Sequence, residues 1–116
     1  MRMVEAFEFE DDLLRISRSS RPPGLRIEGE LDAARHTVLD RLLLIAGIEH
    51  QRAHLDFSGL EFVDLGAMNL IIDHARKLPD GHVLVLDFLP PELERMFNEV
   101  PEGLLAGLII GRSRAS

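Results

Sequence analysis

The chain has 116 residues, enough for one domain with a genuine core and too few for two. With 46% hydrophobic and 28% charged residues it reads as an ordinary globular protein rather than a disordered one, and six Phe without Trp or Tyr leave the core to Leu, Ile and Val. A net charge of −7 argues against a nucleic-acid binder, no apolar run approaches the roughly 20 residues that span a bilayer, and the absence of Cys excludes disulfides, thiolate metal sites and cysteine nucleophiles.

The N-terminal "MRMVEAFEFEDD" is broken by charges before any apolar stretch develops, unlike a signal peptide, so a cytoplasmic location is the expectation. Within it "AFEF", Ala6 to Phe9, reads as an edge strand or as an arm, and residues 1–12 are set apart on that basis. "LLRIS" (Leu13 to Ser17) and "LRIEG" (Leu25 to Gly29) are rich in β-compatible residues. "RSSRPPG" between them is loop chemistry, which makes an antiparallel pair the simple reading. Arg15, Arg18 and Arg21 follow Glu8, Glu10, Asp11 and Asp12, a mixed-charge solvated surface rather than a basic patch.

After Gly29 the period changes. Val38, Leu39, Leu42, Leu43 and Ala46 recur at helical spacing, with Arg35, Asp40 and Arg41 on the other face, Asp32 as N-cap and Gly47 at the far end. "AHLDF", Ala53 to Phe57, is a strand. A second helix begins near Gly66, its inner face being Met68, Ile71, Ile72 and Ala75 and its outer face Asn69, Asp73, Arg76 and Lys77. "HVLVLDF", His82 to Phe88, is the near-continuous apolar run of a covered strand. Pro91 opens a third helix with Leu93, Met96, Phe97 and Val100 facing inward, and "LLAGLII" closes the fold before a frayed tail at 111–116. Strands alternating with helices imply right-handed crossovers and a mixed α/β sheet that starts with an antiparallel pair.

Catalytic constellations are poorly represented. His54, Asp56 and Ser58 share one strand face, but residues two apart lie roughly 6–7 Å from each other, too far for a triad whose members touch at about 3 Å. The five histidines fall into no HxH or HxxxH spacing, and neither GxxxxGK[ST] nor GxGxxG occurs. No metal, no cofactor and no enzymatic activity are therefore expected. What stands out is the hinge "VDLGA": Asp64 suits an N-cap, the next amides point outward at the positive end of a helix, and Leu65 with Leu70 would form a small exposed apolar spot. A protein contact is one reading of that hinge. A nucleotide or other anion held at the helix N-terminus near Gly66 is the alternative, weakened by the lack of nearby Lys or Arg.

"LRIEGELD" (Leu25 to Asp32), "LDFSGLEFVDLGAMNLI" (Leu55 to Ile71) and "VLVLDFLPPELERMF" (Val83 to Phe97), in this order, resemble the STAS domain, and the likeness runs over residues 13–110. That family includes bacterial anti-sigma factor antagonists and cytoplasmic domains of sulfate transporters. The resemblance implies a mixed sheet of four to five strands flanked by about four helices. It implies a non-catalytic signalling role in transcription control, with a protein partner such as an anti-sigma factor of the serine-kinase ATPase type. It places the contact on the hinge and second helix, residues 64–77, which assigns Asp32, Asp64, Leu65, Gly66, Asn69, Leu70 and Asp73 to partner binding. In antagonist members the hinge reads Asp-Ser-Ser-Gly or Asp-Ser/Thr-x-Gly and carries the phosphoacceptor. Here it reads Asp64-Leu65-Gly66-Ala67, so Gly66 falls on the phosphoacceptor position without a hydroxyl and serine-phosphorylation control is not expected. Neither nucleic acid nor membrane is an expected partner, and the chain is expected to be a monomer or weak homodimer.

Overall fold

The computed structural model describes residues 7–114. Its strands are β1 (Phe7–Glu10), β2 (Leu14–Ser20), β3 (Pro23–Leu31), β4 (Arg52–Val63), β5 (Val83–Asp87) and β6 (Leu108–Ile110). The helices are α1 (His36–Glu49), α2 (Leu65–Arg76) and α3 (Pro91–Glu99), with 3₁₀ turns at Ala33–Arg35 and Glu102–Leu105. All six strands form one sheet in chain order, β1-β2-β3-β4-β5-β6. The first two pairings are antiparallel and the remaining three parallel.

The expected four to five strands become six, because residues 7–10 and Leu108–Ile110 each add an edge. The expected four helices become three, since the segments at 33–35 and 102–105 close only 3₁₀ turns. The turn between β2 and β3 is also tighter than expected, with only Arg21 and Pro22 outside the strands. The fourth strand runs from Arg52 to Val63, well beyond Phe57, where the apolar alternation ends.

Right-handed crossovers that step in one direction set their helices on one face of the sheet. The burial pattern agrees. Leu14, Ile16, Leu25, Ile27, Leu55, Phe57, Leu84 and Leu86 from alternate strand positions join Leu39, Leu42 and Leu43 of α1, Met68 and Ile71 of α2 and Phe97 of α3 in one core. Ile71 is fully buried, as its helical register requires. Gly47 does not end α1. It lies inside the helix beneath Leu78, where a Cβ would come within 2.6 Å of Leu78 Cδ2. At the other side of α2, Gly107 holds a φ of +81° against the Ala75 carbonyl, a place with no room for a side chain.

The C-terminal segment, expected to fray, is tied in over residues 111–114. Arg112 bonds Asp87 through its amide (2.8 Å) and its guanidinium (2.9 Å). Arg114 donates to the carbonyls of Phe88 (2.8 Å), Phe57 (2.7 Å) and Leu60 (3.2 Å), the last two on β4 beyond its final pairing with β5. The Arg112 guanidinium also lies 4.6 Å from the centre of the Phe88 ring, and Phe88 is a non-glycine residue at φ +60°.

Candidate protein-contact surface at the hinge

The carboxyl ends of β3 and β4 lie side by side, Leu31 opposite Val63, and the Asp64 amide donates to the Leu31 carbonyl at 3.2 Å. Asp32 and Asp64 therefore begin their respective helical segments at the same end of the sheet. The Asp32 carboxylate accepts from the Ala34 amide (3.1 Å) and from Arg35 Nη1 (2.9 Å). Arg35 reaches Asp11 as well, and the two carboxylates hold its guanidinium pKa above the ordinary value. Asp32 is thus both a cap and half of an ion pair.

Asp64 caps α2, its Oδ1 accepting from the Ala67 amide at 2.8 Å. The same oxygen lies 3.0 Å from His36 Nε2 at the start of α1. Partial burial raises the Asp64 pKa, but the Ala67 amide and His36 outweigh it and hold the carboxyl below its usual range. His36 was not foreseen here, and it gives a physical reason for the glycine. A Cβ built on Gly66 would come within 2.5 Å of His36 Cε1. The imidazole occupies the space a side chain at that position would need.

Leu65 is 66% exposed on the first turn of α2. Asn69 and Asp73 are exposed one and two turns further on. Leu70 departs from expectation. It is half-buried and packs against the core, because its position on the flank of α2 leans toward the sheet. The exposed apolar partner of Leu65 is instead Phe62, 51% exposed at the end of β4. No periodic signal marks it, since the register of β4 against β3 shifts between Leu60 and Phe62. Beside Phe62 a shallow groove of about 260 Å³ runs between Val63, Pro90 and Leu93, with Glu61 and Glu92 at its rim.

At this end of the sheet His36 and Arg35 are already engaged by Asp64, Asp32 and Asp11. The strand-face trio is dispersed in the same way. Asp56 accepts from the Ser58 amide (2.8 Å), while His54 Nδ1 lies 2.7 Å from Asp87, whose carboxylate is 1% exposed. Among the described residues no cluster of three His, Asp or Glu side chains is arranged to hold a metal. None of the described helices is long and apolar enough to cross a membrane.

The sequence pattern of the family described as "Mlab, STAS domain" matches residues 14–100, most of the chain. The chain belongs to the STAS domain family. A crystal structure of an anti-sigma factor antagonist from Mycobacterium paratuberculosis shares the fold of this STAS domain. It superposes with a TM-score of 0.61 over 89% of this chain and 81% of that one, at 14% identity. No curated protein matches the sequence of this STAS domain. The hinge described above falls inside the matched region and connects its longest strand to α2.

Proposed function

We propose that this STAS domain is a non-catalytic signalling module that binds a protein partner through its hinge and α2, in the manner of an anti-sigma factor antagonist, without control by serine phosphorylation. The observation that carries the proposal is the pair of exposed side chains Phe62 and Leu65 on either side of the capping Asp64. Two large apolar groups held in water on rigid elements, next to a groove and rimmed by carboxylates, are the ordinary anchor and rim of a protein contact. A partner of the anti-sigma ATPase type fits the family. Gly66 offers no oxygen to phosphorylate, and His36 takes the space beside it.

The test compares wild type with Phe62→Asp/Leu65→Asp against purified kinase-type anti-sigma factors from the source organism. Calorimetry should show binding to the wild type and a loss of more than about tenfold in the double variant, with circular dichroism unchanged. Equal binding by the folded variant would move the interface elsewhere. Incubated with the same partner and ATP, the wild type should gain no phosphate by mass spectrometry. Phosphate on Ser58 or Thr37 would mean that the switch had been relocated rather than lost.

A further inference from the structure

The C-terminal half of α1 is out of keeping with a surface helix. From Leu42 to Ile48 the sequence LLLIAGI contains no polar residue, so two full turns are apolar on every side. A helix apolar all round is expected to be covered all round. Here Leu42, Leu43 and Ala46 face the core, whereas Leu44, Ile45 and Ile48 stand 53%, 37% and 62% exposed. Isolated exposed leucines are common on any protein, but three neighbours on one helix face make a patch.

The charges around this patch indicate what covers it. Arg41, Ile45 and Glu49 lie on one i±4 ridge of α1, with Leu44 and Ile48 on the adjacent ridge. Arg41 and Glu49 are each four residues, about 6 Å of helix rise, from Ile45 and on opposite sides of it. A second α1 laid antiparallel across the first, with its twofold axis at Ile45, therefore sets each Arg41 opposite the other copy's Glu49. Arg41 makes no ion pair among the described residues. Glu49 uses Oε1 toward both Arg18 and, at 3.8 Å, His50, which leaves Oε2 to face a partner. An isologous contact needs one patch that complements itself, and this ridge does.

We propose that the outer face of α1 is a homodimer interface, with Leu44, Ile45 and Ile48 packed across a twofold axis and Arg41–Glu49 pairs closing each end. The interface is distinct from the hinge, because His36 at the opposite end of α1 is the residue that meets Asp64. Each dimer then presents two hinges to partners.

Sedimentation analysis over a concentration series should show the wild type passing from monomer to dimer. Ile45→Glu and, separately, the more exposed Ile48→Asp should each weaken the dimer by at least about tenfold while circular dichroism stays unchanged. Arg41→Glu should weaken it too, by opposing two carboxylates across the axis. The chain has no cysteine, so single cysteines report contact directly. Helices packed 8–10 Å apart bring facing Cα atoms to roughly 4–6 Å, within disulfide range. Ile45→Cys should therefore form a covalent dimer on mild oxidation, and Leu104→Cys, more exposed but away from α1, should not. A wild type that stays monomeric throughout would overturn the proposal. So would a dimer that survives both Ile45→Glu and Ile48→Asp, or equal cross-linking from Leu104→Cys.

Discussion

Asp87 offers a measurement in which charge and fold can be separated. Its carboxylate is almost wholly buried, yet its pKa is lowered from 3.8 to about 2. Burial alone would raise it. The guanidinium and amide of Arg112, with His54, more than reverse that effect. As the pH falls the unfolded chain takes up the proton near the ordinary carboxylate value, while the folded chain resists until about 2. The ionised group therefore stabilises the fold above about pH 4, and that contribution disappears between about pH 4 and pH 2. Lowering the pKa from 3.8 to about 2, at 1.36 kcal/mol for each tenfold change in proton affinity, amounts to about 2 kcal/mol. Asp87→Asn keeps the shape and removes the charge, so it should cost about that much at neutral pH. A larger loss is not expected, because the Arg112 side chain is half-exposed and can return to water. Urea unfolding followed by far-ultraviolet circular dichroism suits a chain without Trp or Tyr. The difference between wild type and variant should be about 2 kcal/mol at pH 7 and shrink toward zero near pH 2. A gap that stays constant with pH would refute the assignment of the acid-labile stability to Asp87.

Ile71→Ala should cost about 2–5 kcal/mol in the same assay, as the loss of a fully buried side chain between α2 and the sheet. Gly107→Ala should destabilise by more than about 1 kcal/mol, since it adds a side chain at positive φ against the Ala75 carbonyl; an unchanged midpoint would mean that β6 does not pack there. Gly66→Ser should be tolerated better with His36→Ala than alone, because the imidazole stands where the new side chain must go, and a double-mutant cycle measures that coupling. In the presence of a kinase-type partner and ATP, the Gly66→Ser/His36→Ala protein should gain one phosphate that the wild type lacks, read by mass spectrometry, and phosphorylated protein should release that partner.

The legible parts of this molecule are those fixed by neighbours in sequence. Asp64 as a cap, Pro91 at the first turn of α3 and the inward face of α2 follow from chemistry within one or two helical turns, and the structure has all of them. What escaped the sequence depends on partners far along the chain. Asp87 sits in an apolar run, and only its meeting with His54, 33 residues earlier, and Arg112, 25 residues later, makes a buried charge tenable there. Gly66 reads as a lost hydroxyl until His36, far upstream, is seen above it. Phe62 escaped because β4 runs past the point where its alternation fails, while its register shifts to turn an aromatic outward. Leu70 was misplaced for the opposite reason, since a residue on the flank of a helix is assigned by the tilt of that helix and not by its period.

Strand order that equals chain order has a consequence for how the molecule is assembled. Each strand adds to the edge left by the strand before it, so none has to be threaded between two already in place. A chain emerging N-terminus first could extend its sheet one crossover at a time, with α1 and then α2 covering each addition as it forms. The exposed edge moves along with synthesis, from β3 to β4 to β5, and a stalled or truncated chain would leave an unsatisfied parallel edge open to pairing with other chains. Once β6 is in place, Arg114 can follow it across the sheet and reach the carbonyls of Phe57 and Leu60 on β4, tying the last strand laid down to one laid down two crossovers earlier.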